Sequence, residues 1–518
     1  MTQTQRPPTL IPSVIAPAIQ TGATSSRSLT ARLWRGFTTL RGRFTTLLIA
    51  ILIVTSLTAV AVAVSSSRAL SDLNTISQKS IPGTTAAQNI VPYLEDIDAH
   101  ASDYLANSSA TLSIQCINSQ TGQQLGQLSI HDCASKIIDS DLLKLNHQLF
   151  LASQNVPYSG LQTALEQTQT GLETYVADIN LMRHDYSLAN PDNPNDPHLL
   201  QAYQDSRAAQ TILLKQLPGN VAHEPNLPSC TLHGRGVLGP QTWPTSGIET
   251  NMLCLSSLGK QQEDSAYQDT VSFFGISLGI VFGLSIYSCI FLVWTSWSMA
   301  TVTRKFFNLG LIAALLVVLF STTIVLMDFD AIYGHNGYFS VVDNAYNNVY
   351  TAGALQQEGT QAQANQARWL TALNYHDQTS ANQWQQDEQS QSQQVVTLLH
   401  TLSTNSSDAQ DTSLIAQMQQ DWKEYTTQVG EITQLVNAPG TASYLGAAEN
   451  LHTNGVSSTM QIFIHDVQQF SQANTNNYTN ILIQAGERLS QLTTLWAIIF
   501  PILGVLGAWG VSRRLKDF

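Results

Sequence analysis

The sequence predicts an all-α membrane protein, with four transmembrane helices and two extracytoplasmic antiparallel helical-bundle domains in a duplicated span-bundle-span order. Three observations carry this. Four apolar runs, at 45–65, 271–297, 306–327 and 492–511, contain no Asp, Glu, Lys or Arg. At about 1.5 Å rise per residue, runs of this length cross a hydrocarbon core of about 30 Å. The charge is also partitioned: the segments 1–44, 298–305 and 512–518 hold 11 Lys/Arg and one acid, Asp517, a net +10. The two long segments between spans carry −23, which completes the chain's net −13. Short basic segments stay in the cytoplasm, so both termini are expected inside the plasma membrane of a multi-pass protein and both large acidic segments outside. Third, helical periodicity fills the two external segments.

The tail 1–44, with Pro7, Pro8, Pro12 and Pro17 and scattered Arg, reads as partly disordered. Its basic end, from Arg32 to Arg43, faces anionic membrane lipid. The first run carries Ala61-Val62-Ala63, which resembles a signal cleavage site. The long preceding tail favours a retained span.

The first external segment, 66–270, shows three- and four-residue spacing through Leu70, Leu73, Ile76, Ile90, Leu94, Ile97 and Leu105. Pro82-Gly83 is expected to interrupt it. Two Cys-bounded inserts follow, the first reading as a small hairpin. Helical spacing resumes over 137–149, 161–188 and 199–217, broken at Pro157 and at the Asn/Pro/Asp-rich stretch 190–197. Cys116, Cys133, Cys230 and Cys254 all fall in this segment, and an even number outside a membrane suggests two disulfides. Pairing of sequence neighbours, 116 with 133 and 230 with 254, is preferred, and two other connectivities are open. Zinc is disfavoured for want of ligand spacing, so no metal and no other cofactor is expected.

In the second run, Gly275, Gly279 and Gly283 form a close-packing face. Internal packing against another span is preferred to self-association as a homo-oligomer. The loop 298–305 supplies Arg304 and Lys305. The second external segment, 328–491, reads as four helices at 341–374, 380–402, 408–436 and 441–492, an even number that returns the chain to the membrane. Its Gln-rich stretch 356–394 reads as a solvated helix face. Duplication is supported by a fixed offset of 263: Arg41, Phe44, Ile49, Ala50, Leu52 and Val54 correspond to Arg304, Phe307, Ile312, Ala313, Leu315 and Val317. Ala99 and Leu105 fall against Ala364 and Leu370 when the offset slips by two.

The sequence holds no phosphate-cradling glycine loop of P-loop or dinucleotide type and no GxSxG, and an enzyme is not expected. The acidic balance argues against nucleic acid. The spans lack central ionisable groups, which disfavours a transporter or channel. For ligand binding, rare cations beside aromatics stand out: Arg368 with Trp369, Trp422 and Lys423 with Tyr425, and Arg183 with Tyr186. Such pairs can hold a carboxylate. The competing reading of each is an interhelical ion pair or a surface group.

Three stretches resemble the four-helix-bundle sensor domains of bacterial chemoreceptors and sensor kinases. They are 43–64 with Leu73, Ser80-Ile81-Pro82 and Tyr93-Leu94; Ala473-Asn474 through Tyr478 to Arg488; and Trp509-Gly510-Val511-Ser512-Arg513-Arg514, similar to the exit into a HAMP linker. The sequence ends at Phe518, where such a receptor continues into its output domains. Segments 304–314, 366–373 and 514–518 resemble four-span actinobacterial membrane proteins that work beside a solute-binding lipoprotein and a cytosolic kinase in amino-acid sensing. The resemblance implies a sensor or signalling adaptor with a cytoplasmic signalling partner and an external solute-binding protein. The alternative is a non-catalytic envelope scaffold or the accessory subunit of a transporter.

Overall fold

The computed structural model describes residues 81–106, 113–118, 124–154, 159–190, 195–217, 228–232, 236–238, 243, 245–303, 309–333, 338–406, 408–437 and 442–515, with scattered positions from 42 to 71 and position 193. The N-terminal tail to 41, Arg304 and Lys305, and the last three residues lie outside this set. The protein is mostly helical and divides into two compact units. The larger covers 60–283 and 321–497, and the smaller covers 1–59, 284–320 and 498–518. Among the described residues no helix is long and apolar enough to cross a membrane. In each of the four apolar runs some side chains lie outside the description, such as those of 321, 325 and 326 in the third.

In the larger unit the first helix, α1, is Ile81–Ala106. Pro82 and Gly83 sit in its first turn, where Pro lacks an N–H that a first turn leaves unused; residues 72–80, on the other side of the expected interruption, lie outside the described residues. The hairpin β1 (Ser113–Ile117) and β2 (Gln124–Ser129) follows as expected, antiparallel, with Cys116 opposite Gly126. Helices α2 (Ile130–Gln154), α3 (Ser159–Leu188) and α4 (Pro197–Leu214) complete the first set. Asp196 caps α4 by accepting from the His198 N–H at 2.8 Å. A second hairpin, β3 (Cys230–Leu232) and β4 (Gly236–Leu238), covers buried Trp243, whose indole N–H donates to Pro228 O at 3.0 Å. The preferred cysteine pairing is present: Cys116–Cys133 and Cys230–Cys254, each with Cα atoms 5.5 Å apart.

Helix α5 (Ile248–Thr303) runs unbroken for 56 residues, and α6 is Leu309–Tyr333. The second set is α7 (Tyr338–Asn374), α8 (Gln378–Asn405), α9 (Ala409–Val436) and α10 (Ala442–Leu451). It ends in the 59-residue α11 (Ser457–Leu515). His376, at φ 59°, turns the chain after α7, and Asp377 and Asp408 cap α8 and α9. Helix α8 packs on α7 and α9, and α10 packs on α9 and α7. A bundle core forms around Trp369, Trp384, Met418, Trp422 and Phe463. The predicted helix 441–492 is not uniform: His452–Val456 forms a π-helical turn between α10 and α11.

The Gln-rich stretch was expected to face water, and in α8 Gln383, Gln386, Gln389 and Gln393 are exposed. In α7 the expectation fails: the helix is buried almost all round from Leu355 to Ala372, including Gln361, Gln363, Asn365 and Gln366. It lies between its own bundle and α1. Its alanines allow the approach: Ala364 and Ala367 meet Ala99 of α1. The two helices run parallel. Contacts advance together along both, from Gln88 with the Tyr350 carbonyl to Thr371 with the Ser102 carbonyl and Tyr375 with that of Leu105. These are the helices that the offset pairs as equivalent, Ala99 with Ala364.

The glycine face of α5 also departs from expectation. Gly279 and Gly283 are exposed, and a Cβ on either meets no atom within 4 Å. Internal packing of this face is therefore corrected at those two positions. In the smaller unit the close crossing is elsewhere. A Cβ on Gly310 of α6 would lie 2.6 Å from the Cα of Gly510 on α11. Backbone cannot yield as a side chain can, so Gly310→Ala pushes α6 and α11 apart at a cost of about 1–3 kcal/mol. A thermal melt of the purified protein checks this, with Gly279→Ala as the control expected to melt like the wild type.

Candidate functional site

The larger unit carries a buried polar seam where α1 meets α7. Arg368 of α7 is 2% exposed. Its Nε donates to Asp98 Oδ2 at 2.5 Å, Nη2 to Glu95 Oε2 at 2.6 Å and Nη1 to Asn365 Oδ1 at 2.6 Å. The guanidinium also lies 5.3 Å from the Trp384 ring centroid. All three nitrogens are thus engaged within the chain. Gln361 donates to Glu249 of α5, Gln391 Nε2 to Gln361 Oε1 at 3.2 Å, and Asn365 Nδ2 to Gln391 Oε1 at 2.5 Å. The Gln-rich composition of α7 supplies this ladder. Amides cross a buried interface at lower desolvation cost than charges.

One helical turn along, a second cluster joins both sets of helices. Asp103 Oδ2 of α1 lies 3.4 Å from His100 Nδ1, and its Oδ1 lies 3.3 Å from His452 Nε2 of the π-helical turn. His452 Nδ1 faces Gln366 Oε1 at 3.3 Å. His100 Nε2 lies 3.6 Å from Asp96 Oδ1. Near it, Asn118 Nδ2 donates to Asp141 Oδ1 at 2.7 Å. The π turn widens the helix where His452 reaches across, and such turns recur at functional positions.

Burial and charge set the protonation of these groups. Burial pushes Glu95 up to about 8 against the pull of Arg368, helped by Glu249 and Asp98. Burial opposes the Arg368 charge, but Asp98 and Glu95 outweigh it and hold the guanidinium above its ordinary range. Burial and then Asp103 push Glu449 up to about 8. Burial, then Asp96, push Asp141 up to about 10. Burial disfavours the Asp103 carboxylate, yet His452 and His100 together hold it below its ordinary value. His100 is raised: burial opposes its charge, and Asp96 and Asp103 more than offset that.

The residues singled out from sequence fall in three places. Arg368 anchors the seam, while its neighbour Trp369 is buried in the second bundle's core. Trp422 and Tyr425 stack with centroids 4.6 Å apart inside that core, whereas Lys423 is exposed. The predicted trio is therefore not brought together. Trp422 Nε1 and the Tyr425 hydroxyl have no partner there, and burial pushes the neighbouring Glu388 up to about 7. Arg183 Nη1 donates to Asp139 Oδ1 at 2.9 Å, and Nη2 donates to Ser135. Tyr186 instead meets His131 Nε2 at 3.2 Å, within a cluster that includes Tyr104.

Sequence reasoning missed Glu95, Asp98, Asp103 and His452. A signal existed. Glu95, Asp96, Asp98 and Asp103 are interleaved with Leu94, Ile97, Ala101 and Leu105 on one helix. Asp98 falls four residues after Leu94 and three before Ala101, on the apolar face itself, so burying that face buries this acid. His452 carries no comparable sign. Among the described residues no group of His, Cys, Asp and Glu is placed to hold a metal ion. The chain matches no protein-family model, no curated protein and no solved structure.

Proposed function

We propose that this protein is a membrane-anchored extracytoplasmic sensor or signalling adaptor, with both helical sets outside the cell and partners on both faces of the membrane. The observation that carries this reading is the continuity of α5 and α11. Helix α5 starts beside the seam, where Glu249 meets Gln361, and runs without a break through the apolar run 271–297. Helix α11 starts at the π turn that holds His452 and runs through the apolar run 492–511. A shift at the seam therefore has a continuous helical backbone along which to pass. Lipid contact is supported by where the exposed large apolar side chains cluster. Ile276, Ile280, Ile290 and Trp297 on α5, Leu316 and Phe320 on α6, and Ile502 and Val505 on α11 are all more than 40% exposed. The resemblance to chemoreceptor-type sensor domains points the same way. The same resemblance implies a separate cytoplasmic signalling protein as the recipient of the output.

The test is mild crosslinking of the tagged full chain in its native membranes, followed by identification of what co-purifies. An external solute-binding protein together with a cytoplasmic kinase or phosphatase is the expected result. Recovery of wall-synthesis or transporter components would replace the sensor with the scaffold or accessory-subunit reading.

A further inference from the structure

Buried carboxyls outnumber buried cations at the junction of the two helical sets. Glu95, Asp96, Asp98 and Asp103 of α1 are each no more than 6% exposed. Glu249 of α5 and Glu449 of α10 are 1% and 7% exposed. Asp141 of α2 is fully buried behind them. Among the described residues, the buried cations at this junction are Arg368 and, when protonated, His100 and His452. Ionising every carboxyl would leave several negative charges out of water with no counter-charge, which costs several kcal/mol each. The geometry agrees: Glu95 Oε1, Asp98 Oδ1 and Glu449 Oε1 are buried with no hydrogen-bond partner. Protonated carboxyls relieve this charge, and separated helical sets would relieve it by hydration.

We infer that the junction between the two helical sets is a proton-linked joint, closed when protons occupy its surplus carboxyls and loosened when they leave. The inference stands on the seam alone and holds for a sensor or a scaffold.

Glu449 is the clearest single group, because among the described residues no cation pairs with it. Asp103 of α1 faces it, with His100 and His452 on Asp103's other sides. Tyr186 of α3 and Tyr375, just after α7, lie close enough to feel its charge. Burial holds Glu449 near 8 in the closed joint, against 4.5 in water. A carboxyl raised on closing favours the closed form below about 4.5 and loses that contribution as pH climbs through 8. Glu95 has the same sign. His100, raised above 6.5, also contributes below that value and loses its contribution as pH rises. Asp103 has the opposite sign, and its contribution is lost only in strong acid. For Glu449 alone, opening becomes on the order of 100-fold easier between pH 5.5 and pH 8.5.

The experiment uses the full chain in detergent micelles at pH 5.5 and 8.5, as wild type and as Glu449→Gln. Melting temperature and hydrogen exchange, corrected for the intrinsic pH effect, are read together. The wild type should melt lower at pH 8.5, with exchange of α1 and α7 amides accelerated on the order of 100-fold while α9 stays protected. Glu449→Gln should be at least as stable as the wild type at pH 5.5 and melt well above it at pH 8.5, since an amide mimics the protonated acid. A pH-independent wild type would overturn the inference, as would equal acceleration in α9. So would a Glu449→Gln variant that is destabilised or unfolded at pH 5.5, which would mean the ionised carboxylate is the required form.

Discussion

Arg368→Ala is expected to destabilise the larger unit by about 3–5 kcal/mol, because it strands the Asp98 carboxylate without its counter-charge and leaves the Glu95 carboxyl without its donor. Both side chains are fully buried, and the guanidinium touches them at 2.5 and 2.6 Å. The large value measures unpaired charge and not the net worth of the pairing. A second variant separates the two. Converting the group to neutral residues, Arg368→Met with Glu95→Gln and Asp98→Asn, should recover most of the loss, since a buried ion group and a well-packed neutral one are often equally stable. Denaturant unfolding of the purified protein reads both. If Arg368→Ala were silent, the seam would be solvated, and the buried polar junction would have to be given up.

Removing the Cys230–Cys254 bridge is expected to cost about 3 kcal/mol. The two cysteines are 24 residues apart in sequence, and cross-linking a loop of that size restricts the unfolded chain by about that amount. Both are fully buried beside Trp243, in the core that also takes Met252 and Leu255. The double change Cys230→Ser with Cys254→Ser should therefore melt well below the wild type. Cys289→Ser should melt unchanged, because that cysteine is free. A melt insensitive to the double change would mean that packing around Trp243, and not the cross-link, holds the second hairpin.

The helices of the second set were legible in the sequence because short apolar spacing ends at strong stops. His376-Asp377 and Asn405-Ser406 mark ends that the structure places within a residue or two. The disulfides were legible because an even number of cysteines in one segment can pair with their sequence neighbours to close two short loops. The seam was hidden for a physical reason. Periodicity assigns polar residues to solvent, and α7 breaks that rule by being polar and buried at once. Its own bundle hides one side, and the parallel α1 hides the other. Tertiary pairing of two helices about 265 residues apart leaves only a faint offset repeat in the sequence. Arg368 was singled out as a rare cation in an acidic segment, and that rarity was meaningful. Its partners proved to be Glu95 and Asp98, acids of the other helical set. The π turn at His452 follows from no pattern in the sequence that we can identify.

The most direct test of the account is the sidedness of the two helical sets in intact cells. Leu143 of α2 and Val396 of α8 are 73% and 56% exposed, so cysteines there are open to a membrane-impermeant maleimide. The account predicts that Leu143→Cys and Val396→Cys label without permeabilisation, while Thr9→Cys and Phe518→Cys label only after it. Labelling of only one of the two helical-set positions in intact cells, or of either terminus, would contradict it.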